Sequence, residues 1–342
     1  MRRMVAELFR ARDNARPDGS IGAELELIPV RDATRRRVRI ASDREGPGTA
    51  EIIRVSALAH SWREAADAYG APSWTAPDTS RISYEPGGQI EISSPVFPSP
   101  TDLEHSLRDT VSILRDAAGA NGISLLSTGV DPYSKIEEVT LDLHAPRYEL
   151  MTRYFDSIGP SGVRMMRQTA SLQVSVELGA NPMKRWTLLN ALTPYLLAAS
   201  ANSPIYAGQT TEYVSYRAHL WQTLDNTRTG LPFDTADPVD AYTAFALHAG
   251  RILSDDAAHL TTLFPEIRPR GYFEIRSMDA MEPDRVGDTL RFIHAIIHRA
   301  DVAAEARELI GDPDPELLQR AALLGRSDPL IDQRLSALEG LV

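Results

Sequence analysis

The chain has 342 residues, of which 43% are hydrophobic and 24% are charged, and its formal net charge at pH 7 is -11. This acidic balance argues against a nucleic-acid-binding protein, which needs a basic surface for phosphate contacts, and the lack of cysteine excludes disulfides, thiolate metal sites and a cysteine nucleophile. The two lysines, Lys135 and Lys184, lie outside any glycine-rich phosphate-binding loop, which excludes a P-loop nucleotide site.

The N-terminal segment is the first predicted element. Residues 1–10 begin with positive charge, but Glu7 and Arg10 interrupt the apolar core that a secretion signal needs, so we interpret the segment as a surface helix. The longest apolar runs of the chain span only a few residues, far short of the roughly 20 that a membrane-crossing helix requires. We therefore expect a globular cytoplasmic protein without a membrane span.

The first predicted strand covers residues 21–30 and carries two acidic residues. Side chains alternate between the two faces of a strand, so Glu24 and Glu26 point to one face while Leu25 and Leu27 point to the other. This pattern predicts a sheet with one acidic face and one apolar face.

A basic run and a tight turn follow this strand. Arg35–Arg37 is interpreted as a solvated hairpin turn that leads to a second strand from Val38. The strand-like segment Arg81–Tyr84 ends at Glu85-Pro-Gly-Gly88, which cannot continue a regular central strand. The backbone must bend there, so we expect Glu85 and Glu91 to approach one point from different directions.

The later elements alternate between helices and strands without a regular βαβ period. Helices are predicted over 99–114, 146–156, 184–201, 238–253, 283–310 and 314–340, and strands over 123–129, around Gln173 and over 268–278. This order favours an α+β fold with a mainly antiparallel sheet. We expect one catalytic domain over 1–342, with its core motifs in 20–280 and C-terminal helices in 283–340.

Carboxylates or carboxamides recur at alternate positions of four strand-like stretches. The candidate metal ligands are Glu24, Glu26, Glu85, Glu91 and Glu274, with Gln173 as a neutral oxygen donor. Carboxylates that cluster on one sheet face repel one another, and a hard divalent cation with oxygen ligands is the usual compensation. A single Glu on a strand is more often a solvent-facing residue, but the repeated pattern favours a shared magnesium site.

Arginines supply the second part of the predicted site. The candidates are Arg217, Arg228, Arg268, Arg270 and Arg276. Guanidinium groups donate paired hydrogen bonds to carboxylate or phosphate, so arginines beside magnesium ligands suit the transfer of a phosphoryl group. Arg276 is the first candidate because it shares a face with Glu274. The alternative that an arginine only neutralises a crowded carboxylate stays open, above all for Arg268.

Some neighbouring residues have both a structural and a functional interpretation. The pair Met165 and Met166 is interpreted as core rather than as a contact for a thiol substrate. The pair His219 and Trp221 either lines a pocket or is buried against the sheet.

Six ordered motifs between about residues 20 and 280 resemble the plant-type glutamate–cysteine ligases. They are Ile21–Glu26, Glu85–Ser93, Met165-Met166 with Thr169–Val174, Ala201–Pro204, Arg228–Gly230 and Arg268–Arg276. The segment His259–Pro265 before the last motif is most similar to the actinobacterial branch that makes γ-glutamylcysteine for ergothioneine synthesis.

The resemblance implies a glutamine-synthetase-like fold, in which a curved antiparallel sheet forms a funnel with helices packed on its outer face. It also implies that ATP and magnesium serve amide bond formation between glutamate and cysteine. The γ-carboxylate of glutamate would attack the terminal phosphate of ATP, and the amino group of cysteine would displace phosphate from γ-glutamyl phosphate. The expected partners are these small molecules, not nucleic acid or membrane.

The resemblance also assigns roles by position. Glu24, Glu26, Glu85, Glu91 and Glu274 match metal-binding acids, Gln173 matches a metal-contacting Gln or His, and Arg217, Arg228 and Arg270 are expected to bind nucleotide or substrate. Arg276, with Glu274, is expected to act in catalysis at the transferred phosphate.

Two departures from the family pattern affect the acceptor. The connection Ser254–Ala258 is short where we expect a longer segment in the ergothioneine branch, and Arg167-Gln168 precedes Thr169 where smaller residues are common. A shorter cover could change the acceptor pocket. Two alternatives therefore stay open: a glutamate ligase with another amine acceptor, and a nucleotide-binding paralogue without turnover.

Overall fold

Helices and short strands alternate along the chain, which a computed structural model describes for residues 1–11, 15–66, 70–232 and 237–342. The helices of these residues are α1 Arg2–Leu8, α2 Thr49–Ala59, α3 Pro100–Gly119, α4 Pro146–Ile158, α5 Pro160–Gln168, α6 Pro182–Ser200, α7 Tyr216–Thr223, α8 Pro238–His248, α9 Asp256–Leu260, α10 Pro283–His298, α11 Ala300–Ile310, α12 Pro315–Leu324 and α13 Pro329–Glu339. The strands are β1 Ile21–Arg31, β2 Arg63–Ala66, β3 Pro72–Thr75, β4 Arg81–Tyr84, β5 Ile90–Ser93, β6 Ile123–Leu126, β7 Ser171–Val176, β8 Ile205–Tyr206, β9 Gln209–Thr210, β10 Thr229–Gly230, β11 Phe264–Pro265, β12 Ile267–Pro269 and β13 Phe273–Asp279. Short 3-10 turns cover Ile136–Glu138 and Gly325–Ser327.

One large sheet organises the molecule. In the described residues it has nine strands in the order β12-β13-β7-β1-β5-β4-β3-β2, with β6 paired to the second half of β1. Every pair in this sheet is antiparallel, and the small sheets β8-β9 and β10-β11 lie apart from it. The prediction of an α+β fold with a mainly antiparallel sheet is therefore confirmed.

The register at the centre of the sheet brings acidic residues together. On β1, Glu26 lies directly opposite Glu91 of β5, and Glu24 lies opposite Gln173 of β7. The intervening residues Leu25 and Leu27 are fully buried on the other face. The alternation predicted for β1 is confirmed.

Helices cover the apolar face of the sheet. α3 packs on β1 and β6, α6 packs on β13 and β12, and α10 packs on α3. Ser99 is the N-cap of α3, and its hydroxyl accepts a hydrogen bond from the Asp102 amide at 3.2 Å. Burial of the apolar helix faces against Leu25 and its neighbours is the main source of stability in such a layer.

The arginine run after β1 differs from its prediction. Val38 bonds to the Pro29 carbonyl, but no strand starts there among the described residues, since the chain turns into the loop before α2. Arg35 and Arg36 are exposed, whereas the Arg37 side chain is only 5% exposed. Its guanidinium donates to the carbonyls of Gly87 and Arg167 at 3.2 and 3.4 Å, so the run is not simply a solvated turn.

The segment predicted as one strand over 268–278 is a hairpin. Pro269 supplies no amide proton and Gly271 adopts a φ of +79°, so the chain turns between β12 and β13. Arg268 thereby lies directly opposite Glu274. This register decides the surroundings of Glu274.

The C-terminal region forms four helices, α10 to α13, where two were predicted over 283–310 and 314–340. Gly311 and Gly325 end α11 and α12, and prolines begin α10, α12 and α13. These helices share one apolar cluster with the sheet and α6, while the organisation of 1–342 as a single catalytic domain stays a prediction. Across the described residues, every helix is too short or too polar to cross a bilayer.

Candidate active site

The acidic face of the sheet opens into a cleft of about 510 Å³. This volume is in the range of small-molecule sites. The predicted site residues that line it are Glu24, Glu26, Glu85, Glu91, Gln173, Arg217, Arg270 and Arg276, together with Arg268. Two other predicted residues, Glu274 and Arg228, do not contribute to the lining.

Three carboxylates meet at one point of the cleft. Oxygen atoms of Glu26, Glu85 and Glu91 all lie within 4.8 Å of one another. Glu26 and Glu91 face each other across the β1-β5 pair, and Glu85 approaches from the turn that joins β4 to β5. We call these residues the acidic triad. Like charges so close destabilise a sheet unless a cation or protons compensate them.

The Pro-Gly-Gly turn is built to place Glu85. The Gly88 amide bonds to the Glu85 carbonyl at 2.8 Å, and Gly88 adopts a φ of +80°, a conformation that favours glycine. A Cβ atom on Gly87 would lie 2.1 Å from the Arg167 carbonyl oxygen. Both glycines are therefore required for the bend that brings Glu85 to Glu91.

Glu24 and the acidic triad form the acidic wall of the cleft, and three of these residues, Glu24, Glu26 and Glu85, hold protons unusually strongly. Burial raises the pKa of Glu24 to about 8, and the charges of Glu91 and Glu274 add to the effect. Burial and Glu91 raise the pKa of Glu26 to about 7, and burial, Glu91 and Glu26 raise the pKa of Glu85 well above its usual range. A group of acids that resists ionisation is poised to accept a cation in place of protons.

The donor set of this wall fits a hard divalent cation. The Oε1 atom of Gln173 is buried and has no hydrogen-bond partner among the described residues. Glu26 is oriented by the Ser171 amide at 2.8 Å, and Glu91 by the hydroxyls of Ser83 and Ser93 at 2.9 and 2.8 Å. Carboxylate and amide oxygens held in this way suit a magnesium-type ion.

An arginine wall faces the same cleft beside the acids. Arg268, Arg270 and Arg276 donate to the Glu274 carboxylate at 2.5, 3.2 and 2.7 Å. Burial opposes ionisation of Glu274, but the three guanidinium groups prevail and lower its pKa to about 2. Both Glu274 oxygens are thus occupied by arginines, so the structure places Glu274 as their anchor rather than among the acidic triad.

Two of the arginines are further fixed by an aromatic ring. The guanidinium carbons of Arg217 and Arg276 lie 5.1 and 5.3 Å from the centroid of the Trp221 ring. Arg217 also donates to the carbonyls of Arg276 and Ser277 at 2.8 and 3.3 Å. These contacts hold the guanidinium groups of Arg217 and Arg276 at the cleft, where they can bind an anionic group.

The comparison with known families decides the family of the chain. The model of glutamate–cysteine ligase family 2 (GCS2) matches residues 20–323. The chain belongs to this family. It is 32% identical to glutamate–cysteine ligase EgtA of Mycolicibacterium smegmatis over 292 residues, which cover 74% of this chain and 68% of that enzyme. It is 30% identical to the chloroplastic glutamate–cysteine ligase of Nicotiana tabacum over 240 residues, 58% of this chain and 45% of that protein.

A solved structure extends the likeness to the fold. The glutamate–cysteine ligase of Francisella tularensis, in complex with AMP, superposes with a TM-score of 0.54 at 12% sequence identity, over 96% of this chain and 80% of that one. At this identity the likeness concerns the fold alone. The expected ligase fold, with a mainly antiparallel sheet, is confirmed.

Arg228 lies outside the cleft of this family member. Its side chain is fully buried and donates to Asp225 at 2.7 Å, to the Thr262 carbonyl at 2.9 Å and to the Gly250 carbonyl. The ring of Tyr154 lies 4.7 Å from its guanidinium carbon. These contacts occupy the guanidinium in a structural network, and its predicted role in nucleotide binding stays a prediction.

Several cleft residues were outside the predicted set. Arg147, Tyr148 and Tyr242 line the cleft from helices, as do Met4 and Leu8 of α1. Strand alternation could not find them, because they reach the cleft through helix packing. The spacing of Met4 and Leu8, four residues apart on a predicted helix, was the available signal.

Both residue pairs with two interpretations are now placed. Met165 and Met166 are buried, as the core interpretation predicts, and they also line the cleft, while a contact with a thiol substrate stays a prediction. Trp221 lines the cleft, whereas His219 stacks on Tyr213 with ring centroids 4.1 Å apart and is not part of the lining.

Proposed function

We propose that this protein joins the γ-carboxylate of glutamate to the amino group of L-cysteine with ATP as the energy source. The products are γ-glutamylcysteine, ADP and phosphate. Membership of the glutamate–cysteine ligase family supports the reaction class, and two relatives with similar sequences are named glutamate–cysteine ligase.

The juxtaposition of the acidic triad with the arginine wall carries the proposal. Phosphoryl transfer from ATP needs a cation site for the phosphate oxygens and fixed donors for the charge that develops. In this cleft Glu26, Glu85 and Glu91 form the cation site, and Arg270 and Arg276 are the fixed donors. Glu24 and Gln173 lie beside the triad and complete its oxygen donors.

The proposed reaction has two steps. A γ-carboxylate oxygen of glutamate attacks the terminal phosphorus of ATP, and ADP leaves, which gives γ-glutamyl phosphate. The amino group of cysteine then attacks the γ-carbonyl carbon, phosphate leaves, and the amine loses a proton. A magnesium ion held by the acidic triad would neutralise phosphate oxygens. Arg276 and Arg270 would hold the transferred phosphate, and Arg217 would bind a carboxylate or phosphate.

The direct test measures ADP release by the purified protein. We expect release that requires glutamate, cysteine, ATP and a divalent cation together, with γ-glutamylcysteine as the product in mass spectrometry. ADP release that is unaffected when glutamate is omitted would refute the proposal. Because the reaction consumes ATP and thiol metabolites, we propose that it takes place in the cytoplasm.

A different amine acceptor is the second candidate. The predicted short connection Ser254–Ala258 runs into α9, which begins at Asp256, and α8 ends at His248 rather than at the predicted residue 253. The alignment with the Mycobacterium tuberculosis EgtA relative extends over 370 positions, more than the 342 residues of this chain. The relative therefore has segments that this chain lacks. A screen of amines with mass spectrometry of the products separates the two acceptors. Single-turnover product formation with any amine would exclude the non-catalytic paralogue.

A further inference from the structure

Helix α1 lies before the part of the chain that matches the family, yet it forms part of the cleft wall. The family match begins at residue 20, whereas α1 covers Arg2–Leu8. Met4 and Leu8 line the cleft together with the acidic triad and the arginines. Part of the cleft wall is thus supplied by an element outside residues 20–323, the range that the family model matches.

The helical repeat divides α1 into a fixed face and a cleft face. Residues four apart lie on the same side of a helix. Val5 and Phe9 are buried, and Phe9 packs against Trp186 and Phe273 with ring centroids 5.2 and 6.0 Å apart. Met4 and Leu8, shifted by one position, are partly buried and turn toward the cleft.

Polar contacts fix the two ends of α1 on the site. Arg2 donates to Asp240 of α8 at 2.6 Å. The Leu8 carbonyl accepts a hydrogen bond from the Gly271 amide at 2.7 Å, in the turn between β12 and β13. Arg270, which directly precedes this glycine, binds Glu274 and lines the cleft. Leu8 is therefore fixed beside the arginine wall.

The chemistry of the proposed reaction gives this apolar wall a task. An acyl phosphate reacts with water as well as with an amine: a water oxygen attacks the γ-carbonyl carbon, phosphate leaves, and glutamate is regenerated. Each such event consumes ATP without forming an amide. Apolar side chains next to the reacting groups keep water away from them.

We propose that Met4 and Leu8 of α1 form a water-excluding wall that directs γ-glutamyl phosphate to the amine rather than to water. Leu260 of α9 continues the same apolar lining. The two residues are positioning residues, since they carry no reacting group. This inference rests on the proposed function.

The ratio of ADP released to γ-glutamyl amide formed tests the wall. We expect a ratio near one for the unmodified protein and a rise of at least about two-fold in Met4→Ser and Leu8→Ser, because a polar side chain admits water. Arg3→Ser is the matched control, since Arg3 of α1 is exposed and does not line the cleft, and it should keep the ratio near one. The conservative variants Met4→Leu and Leu8→Met should also keep it.

Circular dichroism and thermal unfolding establish that each variant is folded, and Met4→Gln replaces Met4→Ser if the serine variant does not fold. An unchanged ratio in the folded polar variants would overturn the role of α1 while leaving the proposed function intact. A lack of glutamate-dependent ADP release in the unmodified protein would instead overturn the proposed function and, with it, this inference.

Discussion

Two groups of carboxylates share one antiparallel sheet but have opposite surroundings. Glu26, Glu85 and Glu91 face one another within 4.8 Å, and burial with mutual repulsion raises the pKa of Glu26 to about 7. Two strands away from β1, Glu274 binds three arginines, which lower its pKa to about 2 in spite of burial. The acidic triad brings negative charges together, whereas Glu274 is surrounded by three positively charged side chains.

This difference shows that the residue type and the strand position do not decide what a buried carboxylate does. The alternating pattern is the same in Glu24-Leu25-Glu26 and in Glu274-Ile275-Arg276. The cross-strand neighbour differs: Glu26 is opposite a glutamate, and Glu274 is opposite an arginine. Repelling acids bind cations, whereas an acid among arginines holds cationic side chains in place.

The largest expected effect follows the loss of one charge from the acidic triad. Glu91→Gln keeps the shape of the side chain but removes a charged ligand opposite Glu26. We expect kcat/KM for ligation to fall about a thousand-fold, since cation stabilisation of phosphate charge contributes several kcal/mol. In the metal-free protein the same variant should unfold at a higher temperature, because repulsion in the triad is reduced.

The matched control for Glu91→Gln is Glu64→Gln. Glu64 is exposed on β2 of the same sheet and pairs with Arg54 at 2.7 Å. We expect both activity and metal-free stability to stay close to those of the unmodified protein, as exposed ion pairs contribute little. Unchanged turnover of Glu91→Gln at saturating divalent cation would remove Glu91 from the site.

Neutralising Glu274 should have the opposite effect on stability. Glu274→Gln leaves Arg268, Arg270 and Arg276 without the buried anion that holds them. Removal of one partner from a buried ionic cluster costs about 3 kcal/mol of unfolding free energy, and the displaced arginines should also reduce turnover. Urea unfolding with and without a divalent cation measures this. A stability gain like that of Glu91→Gln would show that Glu274 belongs with the acidic triad.

Arg228 and Arg276 allow a third comparison, between a structural and a cleft arginine. Arg228→Lys loses the spread of donors to Asp225 and Thr262, and we expect a loss of about 2 kcal/mol with normal turnover of the folded enzyme. Arg276→Lys should keep most of the stability but lose turnover. Normal stability with lost nucleotide affinity in Arg228→Lys would instead support its predicted role in nucleotide binding.

Strand periodicity predicted the parts of the site that depend on local geometry. The period of two placed Glu24 and Glu26 on one face, and the Pro-Gly-Gly sequence predicted the bend that brings Glu85 near Glu91. The same period predicted that Arg276 lies beside Glu274, but a continuous strand over 268–278 could not place Arg268 directly opposite Glu274. Only the hairpin at Gly271 places Arg268 opposite Glu274.

Residues that depend on helix packing were beyond this kind of prediction. The buried network of Arg228 joins residues more than twenty positions apart, and α1 reaches the cleft through its contact with α8. Neither contact produces a periodic pattern in the sequence that identifies its partner residues. The nine-strand order was likewise not predictable in detail, because pairing across long loops is set by tertiary packing rather than by local sequence.

The last expected effect is a pH dependence that Glu24 contributes and Glu274 does not. The pKa of Glu24 is about 8 in the folded protein and about 4.5 in the unfolded chain, so between these pH values the folded chain binds a proton that the unfolded chain has lost. This contribution to stability is complete below pH 4.5 and disappears as pH rises through about 8. Glu274, with a pKa of about 2, changes its protonation only in acid and stays ionised over that pH range.

We therefore expect the metal-free protein to lose stability relative to Glu24→Gln by about 1.4 kcal/mol for each pH unit between about pH 5 and pH 8. Urea unfolding of both proteins in EDTA at several pH values measures the difference, which cancels groups that titrate alike in both, such as His298. A divalent cation should reduce the difference, because it binds the ionised wall and takes the place of the protons. If the difference in unfolding free energy is constant from about pH 5 to about pH 8, Glu24 is ionised throughout. Glu24 would then resemble Glu274 rather than the acidic triad.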